Sequence, residues 1–173
     1  SDPFVASYNP LTGKELWKIE CMGAEVGPSP AFGAGLVFAA NEYAKLVAIK
    51  PGSTPEIVWE SDEYLPEVAS PVVSGDLLFI ATSYGAIACY DAKTGTKHWD
   101  KEMSTGFYAS PVIAGGNVYY LDMNGVMHIF KASSEQQLIS EPALGEKTVS
   151  TPAFMDNVIY IRAKENLYCI GKI

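Results

Sequence analysis

The sequence predicts an all-β fold assembled by radial repetition of four-stranded units, and three observations carry that prediction. A dipeptide recurs as Ser29-Pro30, Ser70-Pro71, Ser110-Pro111 and Thr151-Pro152, with the prolines 41, 40 and 41 residues apart. Between these marks lie short apolar runs bounded by Gly, Asn or Asp, the pattern of strands joined by tight turns. No stretch repeats its apolar residues with the 3.6-residue spacing of a helix. A period of about 40–50 residues with four strands per unit is that of a β-propeller blade.

Each element of the unit has its own reason. The Ser/Thr-Pro step opens a first strand, read at Ala31-Phe32-Gly33, Val72-Val73-Ser74, Val112-Ile113-Ala114 and Ala153-Phe154-Met155. Proline inside a sheet is confined to an edge, a strand start or a bulge, so this strand is expected along the central channel. The second strand follows a Gly or Asp turn as Leu36-Val37-Phe38-Ala39, Leu77-Leu78-Phe79-Ile80, Val118-Tyr119-Tyr120-Leu121 and Val158-Ile159-Tyr160-Ile161. Apolar residues at successive positions mark a strand covered on both faces. The third strand reads Lys45 to Ile49, Ala86 to Tyr90, Val126 to Phe130 and Asn166 to Ile170.

The turn and fourth strand run from Asn9 to Trp17 and from Asp91 to Trp99, with a one-residue-longer version ending at Trp59. Asn or Asp opens such a turn by bonding backbone two residues on, and Gly13 or Gly95 takes the positive-φ position. Trp17, Trp59 and Trp99 recur with the repeat, as packing residues do, and are expected to dock blade on blade. The fourth unit is read with Ile139 at that place. These elements predict one propeller domain over 1–173, with repeats at about 21–60, 61–102, 103–142 and 143–173 and residues 4–20 as strands of a preceding blade. Phe4–Tyr8 aligns with Ala86–Tyr90, so the expectation is a partial propeller, half of an eight-bladed ring. The alternative, in which the strand Glu15–Glu20 completes the last repeat and closes a smaller ring, stays open.

Composition narrows the function. With 48% apolar and 18% charged residues the chain is too apolar for a disordered segment. A net charge of −8 argues against a phosphate-backbone partner, which calls for basic patches. No run approaches the roughly 20 apolar residues of a membrane span, and Ser1-Asp2-Pro3-Phe4 is not a basic stretch leading into an apolar one. Cys21, Cys89 and Cys169 are odd in number and lack metal-ligand spacing, so they read as small core residues. His98 and His128 have no histidine three or four positions on and are read as structural.

The string Gly85-x-x-x-Cys89-Tyr90-Asp91-Ala92-x-Thr94-Gly95 with Trp99, after Ser70-Pro71-Val72-Val73, resembles the pyrroloquinoline-quinone-type, or quinoprotein-like, propeller repeat. The resemblance covers nearly the whole chain. That family includes quinoprotein alcohol dehydrogenases, the propeller lipoprotein of the bacterial outer-membrane assembly machine and cofactor-free secreted proteins. It implies a periplasmic or extracellular location, with lipid anchoring of the full-length protein left open. Dehydrogenases of the family hold their quinone in the central funnel between a tryptophan and a disulfide of adjacent cysteines, with calcium and an aspartate base. The chain has no adjacent cysteines and its tryptophans stand at docking positions, so no catalytic, cofactor or metal residue is assigned within it. Pyrroloquinoline quinone and calcium would then belong to other blades of the intact protein.

The leading expectation is a non-catalytic scaffold that binds a protein, peptide or glycan through the loops of one face. Connections from fourth to first strand and from second to third strand emerge together, carrying Tyr43, Tyr64, Tyr84, Phe107 and Tyr108 amid Glu25, Glu63, Glu67 and Lys147. Aromatic residues with a few charges are the usual makings of a binding patch. The alternative is part of a quinone-dependent dehydrogenase whose cofactor site lies in other blades. A homodimer that exchanges outer strands and completes an eight-bladed ring is a further expectation.

Overall fold

The structure, a computed structural model, describes residues 3–171; Ser1, Asp2 and the last two positions of the predicted domain lie outside the described residues. Its strands form five antiparallel sheets. β1 (Phe4–Tyr8) and β2 (Glu15–Glu20) pair with each other. Blade I holds β3 (Ala31–Gly33), β4 (Leu36–Ala40), β5 (Leu46–Lys50) and β6 (Glu56–Ser61). Blade II holds β7 (Val72–Ser74), β8 (Leu77–Ala81), β9 (Ala86–Asp91) and β10 (Lys97–Glu102). Blade III holds β11 (Val112–Ala114), β12 (Asn117–Leu121), β13 (Met127–Lys131) and β14 (Leu138–Ser140). Blade IV has three strands, β15 (Ala153–Met155), β16 (Val158–Arg162) and β17 (Leu167–Gly171). β2 and β17 share no ladder, so the sheets do not close into a ring among the described residues.

The cores lie between blades. Side chains alternate across a strand, so Phe38 and Ala40 of β4 meet Leu78, Ile80 and Tyr90 of blade II, while Ala39 turns back with Val47 and Ile49 toward Val5, Trp17 and Ile19 of the β1–β2 pair. Blade II repeats the arrangement, sending Phe79, Ala81 and Cys89 into a second core with Tyr120 and Phe130 of blade III. Leu121 and Met127 then meet Ile161 of blade IV. The unbroken apolar runs in the sequence are the mark of these two-sided strands.

Outer strands dock the blades. The Trp59 ring packs between Phe38 and Tyr90, and its indole N–H donates to the Ala92 carbonyl of blade II at 2.9 Å. Trp99 does the same between Phe79 and Phe130, donating to the Ser133 carbonyl at 3.1 Å. Gly95 is needed twice over: its φ is +73°, and a Cβ there would lie 2.6 Å from the Trp59 ring. Asp91 Oδ1 accepts from the N–H groups of Lys93 and Thr94, which orders this turn, and Asn9 does the same for Leu11 and Thr12.

A bulge precedes each tryptophan. Ser7 faces Trp17, Ala48 faces Trp59 and Cys89 faces Trp99, while Leu16, Val58 and His98 are skipped. In blade III Ile129 faces Ser140 and Ile139 is the skipped residue. The tryptophan-equivalent position of that blade is therefore Ser140, not Ile139; the bulge adds one residue to the count and turns Ile139 out to solvent at 50% exposure.

The Ser/Thr-Pro steps form a relay along the inner strands. The Ser29 N–H donates to Ser70 Oγ at 2.9 Å, the Ser70 N–H to Ser110 Oγ at 2.9 Å, and the Ser110 N–H to Thr151 Oγ1 at 3.0 Å. The hydroxyl recurs because the strand entering a proline has an N–H that no neighbouring strand of its own blade takes up. Ser70→Ala removes the acceptor for Ser29 and should cost about 1 kcal/mol of unfolding free energy. Ser70→Thr keeps the hydroxyl and should recover most of that loss in urea unfolding. Trp99→Ala should cost about 3–5 kcal/mol, as large-to-small core changes do; a loss no larger than that of Ser70→Ala would show that docking rests elsewhere.

Candidate functional site

Antiparallel alternation brings the β4–β5, β8–β9, β12–β13 and β16–β17 turns to one end of the blades, together with the loops that link successive blades. Backbone hydrogen bonds interlock them. The Phe107 N–H reaches Thr82 O at 2.9 Å, Met123 N–H reaches Gly106 O at 3.0 Å, Thr148 N–H reaches Met123 O at 3.3 Å and Lys164 N–H reaches Lys147 O at 3.0 Å. Gly106 permits one of these approaches, since a Cβ there would lie 1.6 Å from the Ser83 carbonyl oxygen. The result is a continuous face of turns and linking loops.

On it the expected residues part company. Tyr43 is 68% exposed and Tyr84 61%, each thirteen residues after its Ser-Pro proline, and Tyr108 is 37% exposed. Tyr84 lies within the field of Glu42, and partial burial raises its hydroxyl pKa. Glu25 and Glu67 are exposed on the linking loops. Phe107, expected on the surface, is instead fully buried. The β10–β11 loop dips between blades II and III, and the ring lies edge-on to Tyr120 and His128 at 6.0 and 5.9 Å.

Tyr64 is likewise drawn into packing. It adopts φ +53° and packs against the core between blades I and II. Lys97 Nζ stands 4.8 Å over its ring and pairs with Glu63 at 2.7 Å and Asp100 at 3.1 Å. The hydrogen bond from Tyr64 holds the Asp100 carboxyl below its ordinary range, and the bond to Glu63 raises the Lys97 ammonium. Glu63 and Tyr64 thus tie the blade I–II loop to β10. Lys147 lies across the face, on the β14–β15 loop, where it lines a cavity between blades III and IV.

Sequence spacing missed one constellation. His128 is 7% exposed and lies between two carboxylates, Glu141 at 2.7 Å from Nδ1 and Asp122 at 3.2 Å from Nε2. Asp122 also accepts from the N–H groups of Asn124 and Val126 through its other oxygen. The hairpin supplies the proximity: His128 faces Tyr120 in register, so the end of β12 lies beside it. His98, by contrast, is the exposed bulge residue of β10. No group of three His, Cys, Asp or Glu side chains able to hold a metal occurs among the described residues, and no helix there is long and apolar enough to cross a membrane.

The family model described as outer membrane protein assembly factor BamB matches residues 1–172. The chain belongs to that family of quinoprotein-like propellers. It is 24% identical over 143 residues to the outer membrane protein assembly factor BamB of Pseudomonas aeruginosa, covering 76% of this chain and 37% of the relative. It is 34% identical over 73 residues to the quinoprotein alcohol dehydrogenase PedE of Pseudomonas putida, covering 42% of this chain and 11% of the relative. Over 144 residues it is 28% identical to the 1-butanol dehydrogenase (cytochrome c) of Thauera butanivorans, covering 78% and 20%. The chain thus spans well under half the length of these curated relatives. Among solved structures, BamB from Moraxella catarrhalis superposes with a TM-score of 0.80 at 18% identity, over 97% of this chain and 52% of that one. The quinohemoprotein alcohol dehydrogenase from Comamonas testosteroni gives 0.77 at 13% identity, over 97% and 38%; at such identities the likeness is one of fold.

The residues here do not fit the quinone site that the family's dehydrogenases imply. Cys21 is half-buried beside the β1–β2 pair, Cys89 is buried between blades with its thiol pushed up to about 12 by burial, and Cys169 is exposed on blade IV. Trp59 and Trp99 have committed their indole N–H groups to the next blade.

The His128 constellation gives a titration test. The hydrogen bond from His128 holds the Glu141 carboxyl below its ordinary range. A carboxylate depressed in the folded state adds stability that is complete above its unfolded pKa of about 4.3 and is lost as pH falls through the folded value. In His128→Gln the Glu141 midpoint, followed by NMR, should move up toward the ordinary range. An unmoved midpoint would assign the shift to Lys101 instead.

Proposed function

We propose that the chain is part of a propeller that works outside the cytoplasm as a binding scaffold, taking a protein, peptide or glycan partner on the face of linking loops and turns. The observation that carries this reading is the exposure of Tyr43, Tyr84 and Tyr108 on a face whose backbone is otherwise interlocked. Tyrosine supplies large contact area at little cost in side-chain entropy, and such rings concentrate binding energy. Glu25, Glu42 and Glu67 beside them favour a partner with basic or hydroxyl groups, while Glu63 and Tyr64 act from behind by fixing the loop. The family's assembly factors accord with a scaffold, and with a site in the periplasm. Lipid anchoring of the intact protein belongs to the same reading. The test is capture of partners on the immobilised full-length protein. Tyr43→Ala with Tyr84→Ala should reduce capture at least about tenfold, the cost of losing a binding anchor, with thermal unfolding unchanged. Undiminished capture would place the binding surface elsewhere.

Similarity to quinoprotein alcohol dehydrogenases favours a second reading, in which other blades of the intact protein supply a quinone site. Its signature is a bound chromophore and dye reduction after the full-length protein is supplied with pyrroloquinoline quinone and calcium. Three-stranded blade IV and the β1–β2 pair also suit exchange of outer strands between two copies. Sedimentation of this chain should then give a species of twice 18.7 kDa, lost on Trp17→Ala; a sole monomer would exclude the exchange.

A further inference from the structure

The far end of the binding face has the opposite character from the tyrosine end. There the loops between blades III and IV surround a cavity of about 640 Å³, within the range of ligand pockets. Its lining includes Lys147, Arg162 and Lys164 and no Asp or Glu. In a chain of net charge −8, Arg162 is the sole arginine, so this concentration of cations runs against the overall charge.

These cations are largely uncommitted. Among the described residues Lys147 and Arg162 form no ion pair, and Lys164 reaches only its exposed neighbour Glu165, at 3.3 Å. The nearest acidic residue in sequence, Glu146, is occupied. It accepts from Asn166 Nδ2 at 3.0 Å, from Tyr168 Oη at 2.9 Å and from the Glu165 N–H, and those bonds hold its carboxyl below the ordinary range. It is therefore a fixed part of the blade IV turn, not a counter-ion for Lys147.

The walls are preformed. Thr148 Oγ1 donates to Arg162 O at 2.8 Å, Asn124 Nδ2 to Thr105 Oγ1 at 2.8 Å, and the Lys147 and Met123 carbonyls are both bonded across the gap. A ligand entering such a site orders little of the protein, which is the condition for useful affinity in a small contact. Met123, Ala163 and the 59%-exposed Val149 give the cavity an apolar side.

We infer that this cavity is a docking pocket for an extended acidic peptide segment, a carboxylate side chain meeting Lys147 and Arg162 while an apolar neighbour covers Val149 and Met123. The inference rests on the reading of this face as a partner-binding surface and names what one part of it takes. A free inorganic anion would leave the apolar side unused. A long polyanion would be repelled by the acidic remainder of the chain, whereas a short segment is screened from it beyond a Debye length of about 8–10 Å.

The probe is a short fluorescein-labelled peptide alternating glutamate and leucine, titrated with the full chain and read by anisotropy. Glutamine-leucine and glutamate-glycine peptides serve as matched controls. The glutamate-leucine peptide should bind at least about tenfold more tightly than either control, more weakly as salt rises. Lys147→Glu with Arg162→Glu should weaken it about tenfold or more, and the milder Lys147→Ala severalfold, so that a folding defect in the double variant leaves the test intact. Equal binding of the glutamine-leucine peptide overturns the inference, as does displacement by millimolar phosphate, which would make the pocket a simple anion site. Tyr43→Ala with Tyr84→Ala should leave peptide binding unchanged. Failure of the unmodified chain to bind the peptide while the full-length protein still captures partners sinks this inference alone; loss of capture in the tyrosine variant with peptide binding unchanged separates the two surfaces in its favour.

Discussion

Everything in this protein depends on burying both faces of the middle strands of blades I, II and III. A strand that must be covered on two sides cannot be satisfied by its own sheet, so no blade has a private core. Phe38 is buried by blade II, Phe79 by blade III, and Leu121 by blade IV. Folding energy of this kind scales with apolar area removed from water, at roughly 25 cal/mol per Å², and here nearly all of it is held at contacts between repeats. Repeat proteins built this way draw stability from neighbour terms more than from any single unit.

The same constraint frees one end of the molecule for function. With the core provided by strands and the docking by tryptophans on the outer edge, the linking loops need only keep their backbone bonds. Those bonds interlock turn with loop from Thr82 to Lys164, while Tyr43, Tyr84 and Lys147 above them stay exposed. The face is therefore rigid in backbone and variable in chemistry: tyrosine and glutamate above blades I and II, and a cluster of Lys147, Arg162 and Lys164 next to Glu146 and Glu165 above blades III and IV. A partner that bridged both ends would have to present opposite charges a blade or two apart, which gives recognition an orientation as well as an affinity.

The repeat made the strands legible, because a proline every 40 or 41 residues indexes all four units and each index carries the same apolar runs. Turn chemistry was legible as well, at Asn9 and Asp91, since an Asx residue and a glycine four positions later act locally. What spacing could not reveal were events across strands. The bulge shifts the tryptophan-equivalent residue of blade III to Ser140, and a skipped residue leaves no trace in composition. Phe107 reads as a surface aromatic until the loop carrying it is seen to dip between blades, and Asp122 reads as a turn residue until the hairpin sets it beside His128. The cationic pocket was represented by Lys147 alone, because Arg162 and Lys164 come from the end of a strand and the turn after it.

The hydroxyl relay along the inner strands is more than three bonds of ordinary strength. Each donor is the N–H of a residue that immediately precedes a proline, and each acceptor is the matching side chain one blade on. If adjacent blades slid past one another by one residue toward the strand, the hydroxyl would face Pro30, Pro71 or Pro111, which have no proton to give. The relay thus works as a vernier, with one tooth per blade, that admits a single alignment of each unit against the next. Because every bond points the same way round, it also confers a handed sense of travel on the array, so that a unit joined at either end can engage only with its own inner strand in the matching phase.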